Sequence, residues 1–183
     1  MLTPEWSNDV LKFWFAESGP RYWFNKDPAF DETVRLRFLA VYESLANCNN
    51  DPLLADARTA LAAILVFDQM SRNMFRDTPR AFATDRRALS IAQEAIDRGF
   101  ESGLTKDERM FLYLPFEHAE DRAAQARSVI LMATLDDPEL TTWAKEHWRI
   151  IDRFGRFPHR NRVLGRTSTP EEASFLTQPG SCF

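Results

Sequence analysis

Sulfur is scarce in this chain. Its 183 residues include two cysteines, Cys48 and Cys182, one mid-chain and one near the C-terminal end. Two distant thiols make neither a disulfide framework nor a zinc motif, so a reducing, cytoplasmic setting is expected. Glycine is also sparse, at six, which leaves little material for a phosphate-cradling loop, and no such spacing occurs. Histidine is confined to His118, His147 and His159. No two of them flank a glutamate at zinc-protease spacing, and none follows a Glu at the spacing of the di-iron bundle signature. A serine-hydrolase elbow is missing too. No metal and no cofactor of a familiar kind is expected.

Long apolar runs and surplus positive charge are missing as well. The longest charge-free apolar stretch, Thr59 to Phe67, is far too short to span a bilayer, so no membrane partner is expected. The opening Met1-Leu2-Thr3-Pro4-Glu5-Trp6 lacks the basic-then-apolar pattern of a secretory leader. A net charge of −4 argues against a dedicated nucleic-acid binder. What remains is a soluble composition, 44% hydrophobic and 27% charged. The length suits a single domain over residues 1–183 with a sizeable core. Fifteen Phe and five Trp make that core bulky. The sequence assigns no oligomeric state.

Prolines mark helix starts. Thr3-Pro4, Asp27-Pro28, Asp51-Pro52, Thr78-Pro79, Asp137-Pro138 and Thr169-Pro170 each place a good N-cap before the residue best suited to the first helical position. Thr105 with Glu108, and Thr169 with Glu172, have capping-box spacing. Gly99 and Gly155 follow long helical runs, where a left-handed residue ends a helix. These signals predict helices over 4–16, 28–46, 52–74, 80–98, 106–135 with a kink or break at Pro115, 138–154 and 170–177. No stretch alternates as a strand would, so the fold class is all-α. Ala88, Ala92, Ala95 and Phe100 have the small-residue spacing of the second helix of a tetratricopeptide repeat. The expectation is a degenerate tetratricopeptide-like α–α superhelix.

The 52–74 segment is apolar nearly all round, yet its stripe runs onto Asp68, Gln69, Arg72, Asn73 and Arg76. The run from Met110 to Phe116 ends in Glu117-His118, and His147 lies on the apolar stripe Trp143, Ile150, Ile151, Phe154. Ionisable groups on buried helices must be paired, and their convergence on one polar site is the sharpest reading. Such groups also form purely structural networks tying helices together. Arginines crowd at 72, 76, 80, 86 and 87, and again at 149, 153, 156, 160, 162 and 166. In a groove they would bind carboxylates or phosphates bidentately; otherwise they pair with the chain's own acids and cap helix ends.

The strings Phe67-Asp68-Gln69-x-x-Arg72-Asn73-x-Phe75-Arg76, Phe111-Leu112-Tyr113-Leu114-Pro115-Phe116-Glu117-His118-Ala119-Glu120 and Arg153-Phe154-Gly155-Arg156-Phe157-Pro158-His159-Arg160-Asn161 are long and specific. With Leu164-Gly165-Arg166 and Ser168-Thr169-x-Glu171-Glu172, they resemble the uncharacterised bacterial family catalogued as domain of unknown function 924. The resemblance covers nearly the whole chain. It implies a tetratricopeptide-like fold and supplies no activity.

Two functions are open. One is a binding module that holds an anionic peptide terminus or a small carboxylate or phosphate compound, with Asp68, Gln69, Arg72, Asn73, Arg76, Glu117, His118, His147, Arg153, Arg156, His159 and Arg160 as candidate ligand contacts. The other is an enzyme in which His118 or His147 works as acid or base beside Glu117 and Asp68. Glu117, His118, His147 and His159 include metal-ligand residue types, although no motif joins them. At the C-terminal end, Pro179 to Phe183 is expected to dock back, its terminal carboxylate on an arginine.

Overall fold

A computed structural model describes residues 5–181, and every one of its regular elements is a helix or a helical turn. The Thr3-Pro4 cap and the expected docking of Cys182 and Phe183 lie outside these residues. Among the described residues there is no strand, as the capping pattern predicts. No helix of the described residues is long and apolar enough to cross a membrane. The chain gathers into two compact units, one of residues 1–76 and 80–115, the other of residues 77–79 and 116–183.

The first unit opens with α1, Trp6–Leu11, which widens into a π-helical stretch, Lys12–Ser18. Gly19, at φ 70° and ψ −174°, turns the chain into the short α2, Pro20–Trp23. Only glycine adopts that backbone without strain. α3 runs over Pro28–Ala46, with the Asp27 carboxylate accepting from the Ala29 and Phe30 amides. A 3-10 turn over Asp51–Leu54 follows, then α4, Ala57–Ile64, a second π-helical stretch, Leu65–Met70, and α5, Ser71–Met74. α6 spans Asp85–Asp97, and α7 spans Lys106–Glu117. α4 packs against α1 and α6, while α3 packs against α5. Phe111 sits at the aromatic centre of this unit, edge-on to Trp14, Phe15 and Trp23 with centroids 4.9–5.7 Å apart. Edge-to-face contacts at this spacing add to the burial of each ring.

The second unit takes up the chain inside α7, after Pro115. α8, Arg122–Ala133, packs on α9, Pro138–Phe154. Gly155 ends α9 at φ 71°, its amide reaching the Ile151 carbonyl at 2.8 Å. α10, Pro170–Phe175, begins with the expected capping box of Thr169 and Glu172.

Two helix starts and one helix break differ most from the sequence reading. The 52–74 helix begins later, because Asp56, not Asp51, accepts from the Thr59 amide and caps α4. The 80–98 helix begins at Asp85, because the Thr78-Pro79 pair starts only the 3-10 turn Pro79–Phe82. The 106–135 helix breaks after Glu117, not at Pro115, which stays inside α7. Asp121 restarts the chain by accepting from the Ala124 amide.

If Asp56 is the working cap, Asp56→Ala should lower the urea-unfolding free energy by about 1 kcal/mol, the usual cost of losing such a cap. Asp51→Ala should leave it within about 0.5 kcal/mol, as surface substitutions do. The opposite order would return the helix start to Asp51.

Candidate functional site

The candidate residues divide between the two units. In the first, Asp68 and Gln69 sit on the π-helical stretch, both buried, and the Gln69 side-chain amide donates to Asp68 Oδ2 at 2.6 Å. Widening the helix here leaves the Phe67 carbonyl to side-chain donors: the hydroxyls of Ser71 and Thr84 reach it at 2.8 and 2.7 Å. Arg72 donates to the Asp68 backbone carbonyl and lies 3.4 Å from Asp68 Oδ1. It also grips Asp85 with both guanidinium ends, at 3.0 and 3.1 Å. Burial works against the Arg72 charge, but Asp68 and Asp85 outweigh it and hold its pKa above the ordinary value. Arg76 makes the same two-pronged contact with Asp31 at 2.5 and 2.7 Å, and the Asn73 amide joins it at 2.7 Å.

Two more arginines of this group are committed as well. Arg80 pairs with Glu43. Arg87 donates to the carbonyls of Leu45, Ala46 and Cys48 at the C-terminal end of α3, where a cation meets the helix dipole. Arg86 stays exposed. Here the pairing alternative describes the arginines better than an open anion groove.

The second unit holds a different arrangement. Glu117 ends α7 and His147 lies mid-way along α9, both buried. His147 Nδ1 is 2.9 Å from the Trp143 carbonyl and 3.2 Å from Glu117 Oε1. Both are acceptors, so the proton belongs on Nδ1 and the lone pair on Nε2. The His118 ring lies 6.4 Å from His147, and Phe157 stands edge-on to His147 at 5.7 Å. Phe157 in turn carries the His159 ring at 5.5 Å and the Arg160 guanidinium at 4.5 Å. Two imidazoles and one buried guanidinium thus gather around Phe157, with the His118 ring beside His147. Gln125, fully buried on α8, holds the turn between Glu117 and Ala119 by donating to both carbonyls.

Burial pushes the His147 pKa down to about 3, and the neighbouring His118, Arg160 and His159 push the same way. The hydrogen bond to the Trp143 carbonyl opposes them. Around this cluster the acids are engaged. Glu120 accepts from the Phe157 amide at 2.8 Å and from both ends of Arg166 at 2.6 and 2.9 Å. Arg156 grips the buried Glu172 at 2.6 and 2.8 Å and, with the Thr169 amide, holds its pKa down to about 2. Arg153 pairs with the exposed Glu171. Among the described residues no three His, Cys, Asp or Glu side chains are grouped to hold a metal ion.

Sequence reasoning named His147 and Glu117 but missed Phe157 and Gln125. The Phe157-Pro158-His159-Arg160 string was available as a signal. Nothing in the sequence around Gln125 marks it.

The imidazole sets an acid limit on stability. His147 is neutral when folded, whereas an unfolded histidine gains its proton near pH 6.5. Below that value the unfolded state binds the extra proton, so stability should fall as pH drops from about 6.5 toward 3. In His147→Gln the urea midpoint should be flatter across pH 6.5 to 5, where Glu172 does not yet titrate; an unchanged slope would place the acid sensitivity elsewhere. Arg156→Met should lower the melting temperature more than Arg153→Met, because the first strands a buried carboxylate and the second an exposed one.

A sequence profile described as a bacterial protein of unknown function (DUF924) matches residues 10–180 of this chain. None of the curated proteins matches. A solved structure of a protein of unknown function from Agrobacterium tumefaciens is similar at 44% sequence identity and a TM-score of 0.88, covering 93% of this chain and 96% of that one. The chain belongs to this bacterial family of unknown function, matched over residues 10–180.

Proposed function

We propose that this protein is a binding module for a small anionic compound, a carboxylate, a phosphate or the terminus of a peptide, captured at the imidazole–guanidinium cluster around Phe157. The observation that carries the reading is the grouping of His147, His159 and the Arg160 guanidinium on Phe157, with His118 beside His147. His147 sits 3.2 Å from a carboxylate oxygen, yet burial above all, and then His118, Arg160 and His159, disfavour its protonation. Imidazole and guanidinium donors grouped in this way are the chemistry that recognises carboxylates and phosphates. His118 and His159 are each partly exposed, and Arg160 is buried. The other candidate arginines, at 72, 76, 153 and 156, hold their own carboxylates and would have to release them to take another.

The enzyme reading has one point in its favour, the base-plus-orienter geometry of His147 with Trp143 and Glu117. Its basicity counts against it. A general base works best with a pKa near the operating pH, and His147 is pushed down to about 3. Binding is therefore favoured over proton transfer.

For the finer architecture we read a tetratricopeptide-like stack. In its support, Ala88, Ala92 and Ala95 are fully buried on α6 at the spacing of such a repeat, and α8 and α9 form a packed helix pair. The compartment proposed from cysteine usage is the cytoplasm.

Titrating inorganic phosphate into the protein while following the imidazole NMR signals tests the binding reading. The His118 and His159 signals should shift saturably, and His159→Asn should weaken the response at least tenfold at unchanged melting temperature. A response reproduced by chloride at matched ionic strength, or one unaltered in His159→Asn, would remove the site.

A further inference from the structure

The first unit contains an open cleft of about 340 Å³ with no part in the imidazole cluster, at the lower end of the range of small-molecule sites. It lies between the π-helical stretch of residues 12–18, α2 and the start of α3. The cleft has a structural cause. Widening the helix lets the Trp14 carbonyl accept both the Gly19 amide and the Trp23 indole N–H, each at 3.1 Å. That pins α2 back on the π-helical stretch, with Gly19 making the turn. π-helical segments are rare and recur at functional sites.

One wall is aromatic. Phe30 stacks on Tyr22 at 4.6 Å and on Phe13 at 5.7 Å, the rings tilted by 12° and 8°. The charged groups that line the cleft are both carboxylates, Glu17 and Asp27. Glu17 Oε2 accepts from Arg37 at 2.6 Å, and Lys12 is 3.7 Å from Oε1. Asp27 uses Oδ1 alone to cap α3. Among the described residues its Oδ2, the Tyr22 hydroxyl and the Ser18 hydroxyl make no hydrogen bond. The cleft therefore offers an apolar wall, an uncommitted carboxylate oxygen and two hydroxyls. An anion entering it would meet two carboxylates. A neutral compound would cover Asp27 Oδ2 without supplying a charge.

We propose that this cleft is a binding site for a small protonated amine with an apolar body, its ammonium on Asp27 Oδ2 and its hydrocarbon against the Phe13, Tyr22 and Phe30 rings. Arg37 already lies over the Phe13 ring at 4.5 Å and Arg21 over the Tyr22 ring at 4.8 Å, so cation–π positions on this stack are taken by the protein's own guanidiniums. Selectivity comes instead from Asp27 and the hydroxyls. The site is independent of the anion-binding reading, since it shares no residue with it.

Calorimetric titration of the full chain with phenethylamine, isoamylamine, 2-phenylethanol and 3-phenylpropionate tests the proposal. At least one amine should bind saturably, and the alcohol and the carboxylate should not. Asp27→Asn keeps a good N-cap while removing the charge, and should weaken the amine at least tenfold. Should that variant unfold, Glu17→Gln on the exposed rim reads the same loss of negative charge, and should weaken it several-fold. Tyr22→Phe should weaken it less. Absence of saturable binding by either amine, equal binding of amine and alcohol, or full binding by the charge-removed variants would overturn it.

Discussion

A carboxylate with no access to water has to be met by donors, and Asp68 imposes that condition on the first unit. It is completely buried in the middle of the most apolar segment of the chain. Leaving such a charge unpaired costs several kcal/mol. The helix widens at this point, the Gln69 amide and the Arg72 guanidinium close on Asp68, and Arg72 needs Asp85 to balance it. Asp85 opens α6, and its neighbour Thr84 donates to the Phe67 carbonyl instead of capping its own helix. One buried charge therefore fixes where two helices meet.

The second unit obeys the same rule with different chemistry. Glu172 and Glu120 are met by arginines and backbone amides, and both are held below the ordinary carboxylate range. His147 takes the other route open to a desolvated ionisable group, which is to give up its charge. Paired ions leave nothing over for a ligand. The cluster around Phe157 instead joins a neutral imidazole to two further imidazoles and the Arg160 guanidinium. That contrast separates the cluster around Phe157 from the arginine networks.

Much of the fold is legible in local chemistry. An N-cap acts within a few residues, so Asp27, Asp137 and Thr169 announce their helices without reference to the rest of the molecule. Asp51 misleads because Asp56, a few residues on, competes for the same role and wins through the Thr59 amide. The π-helical stretches are invisible to pattern reading. Their stability depends on donors from elsewhere, the Trp23 indole in one case and the Thr84 hydroxyl in the other. The same distance hides the ion pairs. Arg76 finds Asp31 and Arg166 finds Glu120 across more than forty positions, so each arginine reads as a free cation until the chain is folded. His147 is legible as buried from the stripe of α9, but the Phe157 ring beside it is not.

The protonation state of His147 is where the two halves of this picture meet. ¹⁵N chemical shifts of the imidazole nitrogens at pH 5, on uniformly labelled protein, read it directly. A neutral ring with the proton on Nδ1, facing the Trp143 carbonyl and Glu117, is the predicted result. An imidazolium at that pH, with both nitrogens protonated, would mean that Glu117 dominates the site, and that the cluster is an ordinary buried ion pair with no preference for an anion.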